Sequence, residues 1–263
     1  MIALVALLAG CAGRVERNVV YTPPDWPEAL AADLYLPMQP GPRPAVLVVH
    51  GGGWHGRSRD DMTGIARRLA VRGFVVMNVS YRFAPRYRYP AQLQDLEQAV
   101  RWLRRSGPRY GVDPDRIGAF GYSSGGHLVA LLGTVGSGET RLQAVVAGGA
   151  PTDLRKFTGG TLVPQFLGTT LREKPDLFAL ASPIAHVSAD DPPMFLYHGG
   201  GDSLVPADHA KDMKRALDRL GVRAELRIVP LLGHTLTFLL ARGTEDEAMD
   251  FLTESLKQSS PVR

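Results

Sequence analysis

The chain contains one cysteine in 263 residues, and it has no internal repeat and no low-complexity segment. A single cysteine cannot form an internal disulfide, which excludes a fold held together by disulfide bonds. Strong charge of either sign is also lacking, because the formal net charge is only +4. What is present is ordinary: 44% of the residues are hydrophobic and 21% are charged, as in a typical globular domain. The length is sufficient for one α/β domain with a large buried core.

The first residues suggest export. Residues 1–10 are almost wholly apolar but too few to span a bilayer, and they resemble the hydrophobic core of a secretory signal without its positively charged start. They end in Leu8-Ala9-Gly10-Cys11, which resembles the lipobox of bacterial lipoproteins. We therefore expect Cys11 to be lipidated and to anchor the chain to the bacterial cell envelope, with residues 11–27 as a tether. Ala12 favours the periplasmic face of the outer membrane, by analogy with bacterial sorting; an incidental cysteine is the alternative.

The most informative motif is Gly121-Tyr122-Ser123-Ser124-Gly125, which fits the pattern G-x-S-x-G. The apolar run 117–120 before it predicts a short buried strand, and residues 126–132 after it predict a helix. A serine at the apex of a sharp strand-to-helix turn is the context of a nucleophile elbow, so Ser123 is the candidate nucleophile. The same pattern also occurs in ordinary turns, so the interpretation depends on the other groups that acyl transfer requires.

A second motif supplies the expected oxyanion hole. Residues 50–54, His-Gly-Gly-Gly-Trp, follow the apolar run 45–49. Acyl transfer creates an oxyanion that preorganised backbone N–H groups must stabilise, and glycines let the backbone approach closely. We assign the donors to Gly52 and Gly53, joined by the amide of Ser124. A flexible glycine turn is the alternative.

The acid and the base are expected to follow the serine in chain order. Residues 193–198 predict a buried strand, and Asp202 lies in the glycine-rich loop after it, where open α/β sheets place their active sites. Residues 224–229 predict the last strand, and His234 follows in a loop. We assign His234 as general base, with Asp202 orienting it.

Rival residues have simpler explanations. His198 precedes the acid in the chain, which disfavours it as the base. Asp208 falls inside a helical pattern, and a position on the solvent-exposed face of that helix explains its charge. Asp153 lies at the end of another predicted strand. We expect the remaining histidines to be structural: His50 bracing the oxyanion loop, His127 packed in the helix after the elbow, and His55, His186 and His209 in loops or on the surface.

Taken together, these motifs resemble the α/β-hydrolase superfamily, in particular carboxylesterases of the hormone-sensitive-lipase-like and feruloyl- or acetyl-esterase-like branches. The resemblance covers nearly the whole chain after Tyr21, and it implies an α/β-hydrolase fold: a mostly parallel central sheet flanked by helices. It also implies no metal and no organic cofactor. One departure is visible, because Thr235-Leu236 follows Gly233-His234 where many relatives have Gly-Phe. Further matching stretches are Ala32-Asp33-Leu34-Tyr35-Leu36-Pro37, Tyr81-Arg82-Phe83-Ala84-Pro85, Gly111-Val112-Asp113-Pro114-Asp115-Arg116-Ile117, Ala181-Ser182-Pro183 and Val205-Pro206.

The domain organisation follows from the alternation of strand-like and helical patterns. We expect one α/β-hydrolase domain over residues 28–263. Residues 92–105 show a clear helical face, and residues 60–72 and 245–257 are weaker helical patterns. Residues 153–191 interrupt the alternation, and we interpret them as a small lid insertion, here called the lid segment. Ordinary packing of a connecting helix explains its apolar residues equally well.

The expected function is that of a serine carboxylesterase which forms an acyl-enzyme intermediate on short-chain acyl or aryl esters, either small molecules or polymer-linked. An amide hydrolase of the arylformamidase or peptidase type, a polysaccharide acetyl or feruloyl esterase, and a catalytically silent membrane-tethered binding protein remain alternatives. Residues 81–89 interleave arginine with aromatic residues. No nucleic-acid motif accompanies them, so we expect a bracing loop and no nucleic-acid partner. The sequence does not predict the oligomeric state.

Overall fold

A computed structural model describes residues 13–38 and 41–257. The strands in this part of the chain are Val15–Val20 (β1), Ala31–Tyr35 (β2), Arg43–Val49 (β3), Val75–Val79 (β4), Val112–Tyr122 (β5), Ala144–Gly148 (β6), Met194–Gly199 (β7) and Ala224–Val229 (β8). These eight strands form one sheet in the order β1-β2-β4-β3-β5-β6-β7-β8. Among them, only β2 runs against the rest, because it pairs antiparallel with both of its neighbours, while the other pairs are parallel. The predicted mostly parallel sheet is therefore confirmed.

Helices cover both faces of the sheet, so its central strands are buried on both sides and read as continuous apolar runs. In β3, Ala45, Leu47 and Val49 join the core on one face, while Val46 and Val48 join the core on the other. The α-helices of the described residues are Thr63–Val71 (α1), Ala91–Ser106 (α2), Ser124–Val135 (α3), Leu162–Leu167 (α4), Pro175–Leu180 (α5), Asp208–Arg219 (α6), His234–Leu240 (α7) and Arg242–Lys257 (α8). The first core is completed mainly by α2, α3 and α6, and the second by α1 and α8.

The predicted helices are present. The pattern at 92–105 corresponds to α2, and the pattern at 245–257 lies within α8. The pattern at 60–72 begins as a 3₁₀ turn, Arg59–Met62, which leads into α1. Among the described residues, none of these helices combines the length and the apolar character that crossing a bilayer requires.

The predicted tether 11–27 is wrong for its central part, because Val15–Val20 forms the edge strand β1. Asp33 explains why a segment with mixed charge joins the sheet. Its buried carboxylate accepts hydrogen bonds from the Asn18 amide and from Arg17, both at 3.0 Å, and lies 3.2 Å from the Arg59 guanidinium. Cys11 and the signal segment lie outside the described residues.

The lid segment connects β6 to β7 through short helices: the 3₁₀ turns Leu154–Lys156 and Pro183–His186, and α4 and α5 between them. Leu154, Phe166 and Phe178 are buried in the core on the α3 face. A large part of the segment is therefore packed against the domain.

Candidate active site

Ser123 stands on a strained turn between β5 and α3. Its backbone angles, φ 56° and ψ −124°, are rare for a residue with a side chain, and they place the hydroxyl at the apex of the turn. A Cβ at Gly121 would lie 2.3 Å from the Gly125 carbonyl oxygen, and a Cβ at Gly125 would lie 2.2 Å from that of Val49. The two glycines of the motif are thus required by the close crossing of strand, turn and helix.

The structure brings the three predicted catalytic residues together. His234 Nε2 lies 2.8 Å from Ser123 Oγ, and His234 Nδ1 lies 2.6 Å from Asp202 Oδ2. Because a carboxylate only accepts hydrogen bonds, Nδ1 carries the proton and Nε2 is left to accept from the serine hydroxyl. This is the arrangement that a Ser-His-Asp relay needs.

Asp202 is buried and held by several donors. Its Oδ1 accepts from the amides of Leu204 (3.0 Å) and Val205 (2.8 Å), and its Oδ2 lies 3.3 Å from His198 Nε2 in addition to His234. Burial acts to raise the pKa of Asp202, but the hydrogen bonds from His198, His234 and Val205 outweigh it and hold the pKa below its usual range. The group therefore remains a carboxylate, the state that orients His234.

The rival residues occupy other positions. His198 is fully buried, and its Nε2 donates to the Val205 carbonyl at 2.7 Å. It therefore supports the loop that carries Asp202 and does not face Ser123. Asp208 pairs with Lys156 on the exposed side of α6, as predicted. Asp153 pairs with Arg155.

The prediction for His209 is wrong, because this residue is buried in α6 with 1% of its surface exposed. The Asp153 amide donates to its Nδ1 at 3.3 Å, and the Phe157 ring stacks on it. Burial lowers the pKa of His209 to about 4, with the Lys156 ammonium acting in the same direction. Neither its spacing nor its neighbours in the sequence indicated this role.

The glycine loop lies directly against the elbow. Gly52, Gly53 and Trp54 all have positive φ, at 116°, 62° and 63°, and a Cβ at Gly51 would lie 3.2 Å from Cβ of Ser123. Within the described part of the chain, no backbone hydrogen bond uses the amides of Gly52, Gly53 or Ser124. These donors are consequently available to an oxyanion.

Neighbouring residues hold the loop in place. Tyr81 donates from its hydroxyl to the His50 carbonyl at 3.1 Å and stacks on the His50 ring, and the Ala84 amide donates to the Trp54 carbonyl at 2.9 Å. Burial lowers the pKa of His50, consistent with a neutral packed ring. The expectation that residues 81–89 form a bracing loop agrees with these contacts.

Trp54 and His127 form a hydrogen bond that was not predicted from the sequence. Trp54 Nε1 donates to His127 Nδ1 at 3.2 Å, and His127 Nε2 donates to the Ala181 carbonyl at 2.7 Å. The Trp54 ring also stacks on Phe166 at 4.5 Å between centroids. Burial lowers the pKa of His127 to about 4, so the ring is neutral and ties the oxyanion loop to α3 and to the lid segment. His127 is the packed histidine that was predicted, but its partners are far away in the sequence.

The prediction that His234 lies in a loop is wrong, because this residue is the first residue of α7. Tyr122, the neighbour of the nucleophile, donates from its hydroxyl to the His234 carbonyl at 2.6 Å. Phe238 packs on the Tyr122 ring at 5.0 Å, and Thr237 is fully buried. The residues that depart from the family pattern after His234 therefore form a short helix, and its Phe238 packs on the Tyr122 side chain that binds the His234 carbonyl.

A cavity of about 260 Å³ opens beside the nucleophile. Ser123, Gly53 and Ser124 line one side of this cavity. The lid segment and the loop that carries Asp202 supply mostly apolar groups on the other side. The volume is small beside the ~300–1,000 Å³ of pockets for drug-sized ligands. The apolar lining of the cavity comes from Trp54, Pro151, Phe157, Leu162, Val163, Leu204 and Val205.

Over residues 13–38 and 41–257, no group of three or more His, Cys, Asp or Glu side chains is placed to hold a metal ion.

Comparison with known proteins agrees with this site. Residues 32–217, which include Ser123 and Asp202, match the family model described as BD-FAE. The chain belongs to the BD-FAE family. Esterase LipC of Mycobacterium tuberculosis (strain ATCC 25618 / H37Rv) is 29% identical over 196 residues, which are 67% of this chain and 48% of LipC. The chain spans about half the length of the curated relatives that match it first.

Solved structures resemble this BD-FAE protein over most of its length. A truncated form of a carbohydrate esterase from gut microbiota has 27% identity and a TM-score of 0.81, with 94% of this chain and 98% of that chain covered. Thermogutta terrifontis esterase 2, phosphoramylated by tabun, has 27% identity and a TM-score of 0.78, with 91% and 94% covered. The α/β-hydrolase fold and the resemblance to carboxylesterases are thereby confirmed.

Proposed function

We propose that this protein is a serine carboxylesterase that hydrolyses carboxylic esters through an acyl-enzyme intermediate. The observation that carries the proposal is the hydrogen-bonded chain from Ser123 through His234 to Asp202, beside a glycine loop with free amides. The same three residues suit an amide hydrolase, but the relatives and structural neighbours are named as esterases, which favours the ester.

The reaction follows from the geometry. Ser123 Oγ attacks the ester carbonyl while His234 Nε2, 2.8 Å away, accepts its proton. The tetrahedral oxyanion accepts hydrogen bonds from the amides of Gly52, Gly53 and Ser124, each worth about 3–4 kcal/mol of barrier. His234 then protonates the departing alcohol. Water, deprotonated by the same histidine, releases the acid from Ser123.

The pocket supports a small acyl group. Its volume of about 260 Å³ and its apolar lining suit an acetyl, propionyl or butyryl chain. A second candidate, an esterase that removes acyl groups from carbohydrate, is favoured by the similarity to the gut-microbiota carbohydrate esterase over 94% of this chain. Release of acetate from acetylated xylan and of ferulate from methyl ferulate, measured beside p-nitrophenyl acetate, distinguishes these substrates.

The test of the proposal is the variant Ser123→Ala. We expect it to lose turnover of p-nitrophenyl acetate by at least about 10³-fold and to lose labelling by a fluorophosphonate probe, because both require the nucleophile. Ser188→Ala, which removes an exposed hydroxyl bonded to Asp191, is the matched control and keeps both. Full activity in Ser123→Ala refutes the proposal. A wild-type protein that neither turns over esters nor takes up the probe points to the binding-protein alternative.

We further propose that Cys11 carries the lipid anchor and that the active site faces away from the membrane. Since β1 runs parallel to most of the sheet, its first residue lies at the edge opposite the strand ends that carry Ser123. Export in a bacterial host followed by membrane fractionation tests the anchor: Cys11→Ser should move the protein to the soluble fraction and abolish incorporation of labelled palmitate. Retention of the label refutes it.

A further inference from the structure

A second cavity adjoins the pocket that contains Ser123. It has a volume of about 370 Å³ and lies entirely within the lid segment. The two cavities share three lining residues, Phe157, Gly159 and Gly160. Neither glycine carries a side chain, so Phe157 contributes the only side chain of the common wall.

The Phe157 ring is held in position. It stacks on His209 with 5.2 Å between the ring centroids and 21° between their planes. His209 is itself fixed in α6, because Thr152 donates to its carbonyl at 2.7 Å and the Asp153 amide donates to its Nδ1 at 3.3 Å. A ring stacked on a buried, hydrogen-bonded partner is held in place and separates the two cavities.

The second cavity is suited to an apolar chain. Its walls beyond the partition include Pro164, Leu171 and Phe178, with Arg172 and Thr170 also present. A group that extended from the serine pocket through the position of the Phe157 ring would enter this space. The acyl group is the part of the ester that stays on Ser123 after the alcohol leaves, and it is our candidate for the group that such an extension would accommodate.

We propose that Phe157 determines the acyl-chain length that the enzyme accepts, by closing the serine pocket against the second cavity. This inference rests on the proposed esterase function and assigns a residue to its specificity. The native enzyme then prefers short acyl esters, up to butyrate, to octanoate esters, and removal of the ring connects the two spaces so that medium-length acyl chains bind.

The experiment measures kcat/KM for p-nitrophenyl esters from acetate to dodecanoate. We expect Phe157→Ala to raise the octanoate-to-acetate ratio by at least about tenfold, since each buried methylene contributes to discrimination, with a smaller rise in Phe157→Leu. Leu171→Ala, which enlarges the second cavity but leaves the partition intact, is the control and keeps the wild-type ratio.

The outcomes separate the two proposals. A wild-type enzyme that hydrolyses short esters, together with a folded Phe157→Ala variant of unchanged ratio, overturns the inference and leaves the esterase function standing. A variant that changes preference only along a series of alkyl acetates, where the alcohol is varied, also overturns it. A wild-type protein inactive on every ester overturns both. Thermal unfolding of each variant establishes that it is folded. If Phe157→Ala does not fold, the octanoate-to-acetate ratio of Phe157→Leu decides the question.

Discussion

At the scale of single residues, the acid of the triad is positioned before substrate arrives. Asp202 receives two backbone amides on one oxygen and two histidines on the other. A carboxylate fixed from several sides needs little reorganisation during the reaction, which is the physical basis of electrostatic preorganisation. Of the two histidines, His198 is the one that the proposed mechanism does not use directly. It contacts both Asp202 and the carbonyl of Val205.

We predict that His198→Ala lowers kcat by about tenfold to a hundredfold with little change in KM. The variant loses a hydrogen bond to a charged group, worth about 1.5–3 kcal/mol, and releases the loop that holds Asp202. His198→Gln, whose amide can still donate, should recover part of the loss. Steady-state kinetics on p-nitrophenyl acetate check this, with thermal unfolding measured in parallel.

His186→Ala is the matched control for that measurement. His186 also donates to a carbonyl, that of Leu180 at 2.8 Å, but it lies in the lid segment away from Asp202. We expect its kcat to equal that of wild type. An increase in KM with unchanged kcat in His198→Ala would contradict the assigned role, since it would indicate a loss of substrate binding instead.

At the scale of secondary structure elements, the edge strand β1 depends on one buried carboxylate. Asp33 on β2 accepts from Arg17 and from the Asn18 amide, and its side chain is 2% exposed. Asn18 has a positive φ, and the register of the pairing shifts between Glu16 and Val19, so regular sheet pairing is interrupted where the carboxylate binds. A side-chain acceptor thus replaces the missing ladder contact.

We predict that Asp33→Ala lowers the free energy of unfolding by about 2 kcal/mol, because the Asn18 amide and two guanidinium groups lose a buried, charged acceptor. Hydrogen exchange of the amides in Val15–Val20 should accelerate before global unfolding. Asp218→Ala removes an exposed pair with Lys214 and should cost less than about 1 kcal/mol. Urea titrations measure both, and equal losses in the two variants would count against the role of Asp33.

Elements with a local signature could be predicted from the sequence, and elements defined by distant partners could not. The elbow, the glycine loop and the positions of Asp202 and His234 follow from patterns a few residues long beside apolar strands. Strand β1 was missed because its mixed charges are matched by Asp33, fifteen or more residues away. The burial of His209 and the contact between Trp54 and His127 depend on packing between segments more than 50 residues apart, which no local pattern encodes.

At the scale of the whole molecule, buried neutral histidines join separate parts of the fold. His127 links the oxyanion loop, α3 and the lid segment, and His209 links α6 to the start of the lid segment. Trp54 only donates and the Ala181 carbonyl only accepts, so His127 fits its site in a single neutral tautomer. A second proton would place an N–H against the indole N–H. Protonation of these histidines at low pH is therefore expected to weaken the contacts that join these parts of the fold.

We predict that the free energy of unfolding falls as the pH decreases from 6.5 to about 4. The pKa values of His127 and His209 are lowered to about 4 in the folded protein, so in this window the unfolded chain binds protons that the folded chain does not. Each histidine then removes about 1.4 kcal/mol per pH unit, up to about 3 kcal/mol for each of the two. The contribution of Asp202, whose folded pKa is lowered, is lost only below its unfolded value near 3.8.

The variant His127→Gln isolates this effect, because glutamine offers one acceptor and one donor but does not titrate. Asp95 and Glu245, whose pKa values burial raises, act in the opposite sense in both proteins and cancel in the comparison. Urea titrations from pH 7 to pH 4 should give a shallower loss of stability in the variant, by about 1.4 kcal/mol per pH unit. Parallel curves for wild type and variant would show that His127 takes up a proton as readily in the folded protein as in the unfolded chain and that its contact with Trp54 does not require the neutral ring.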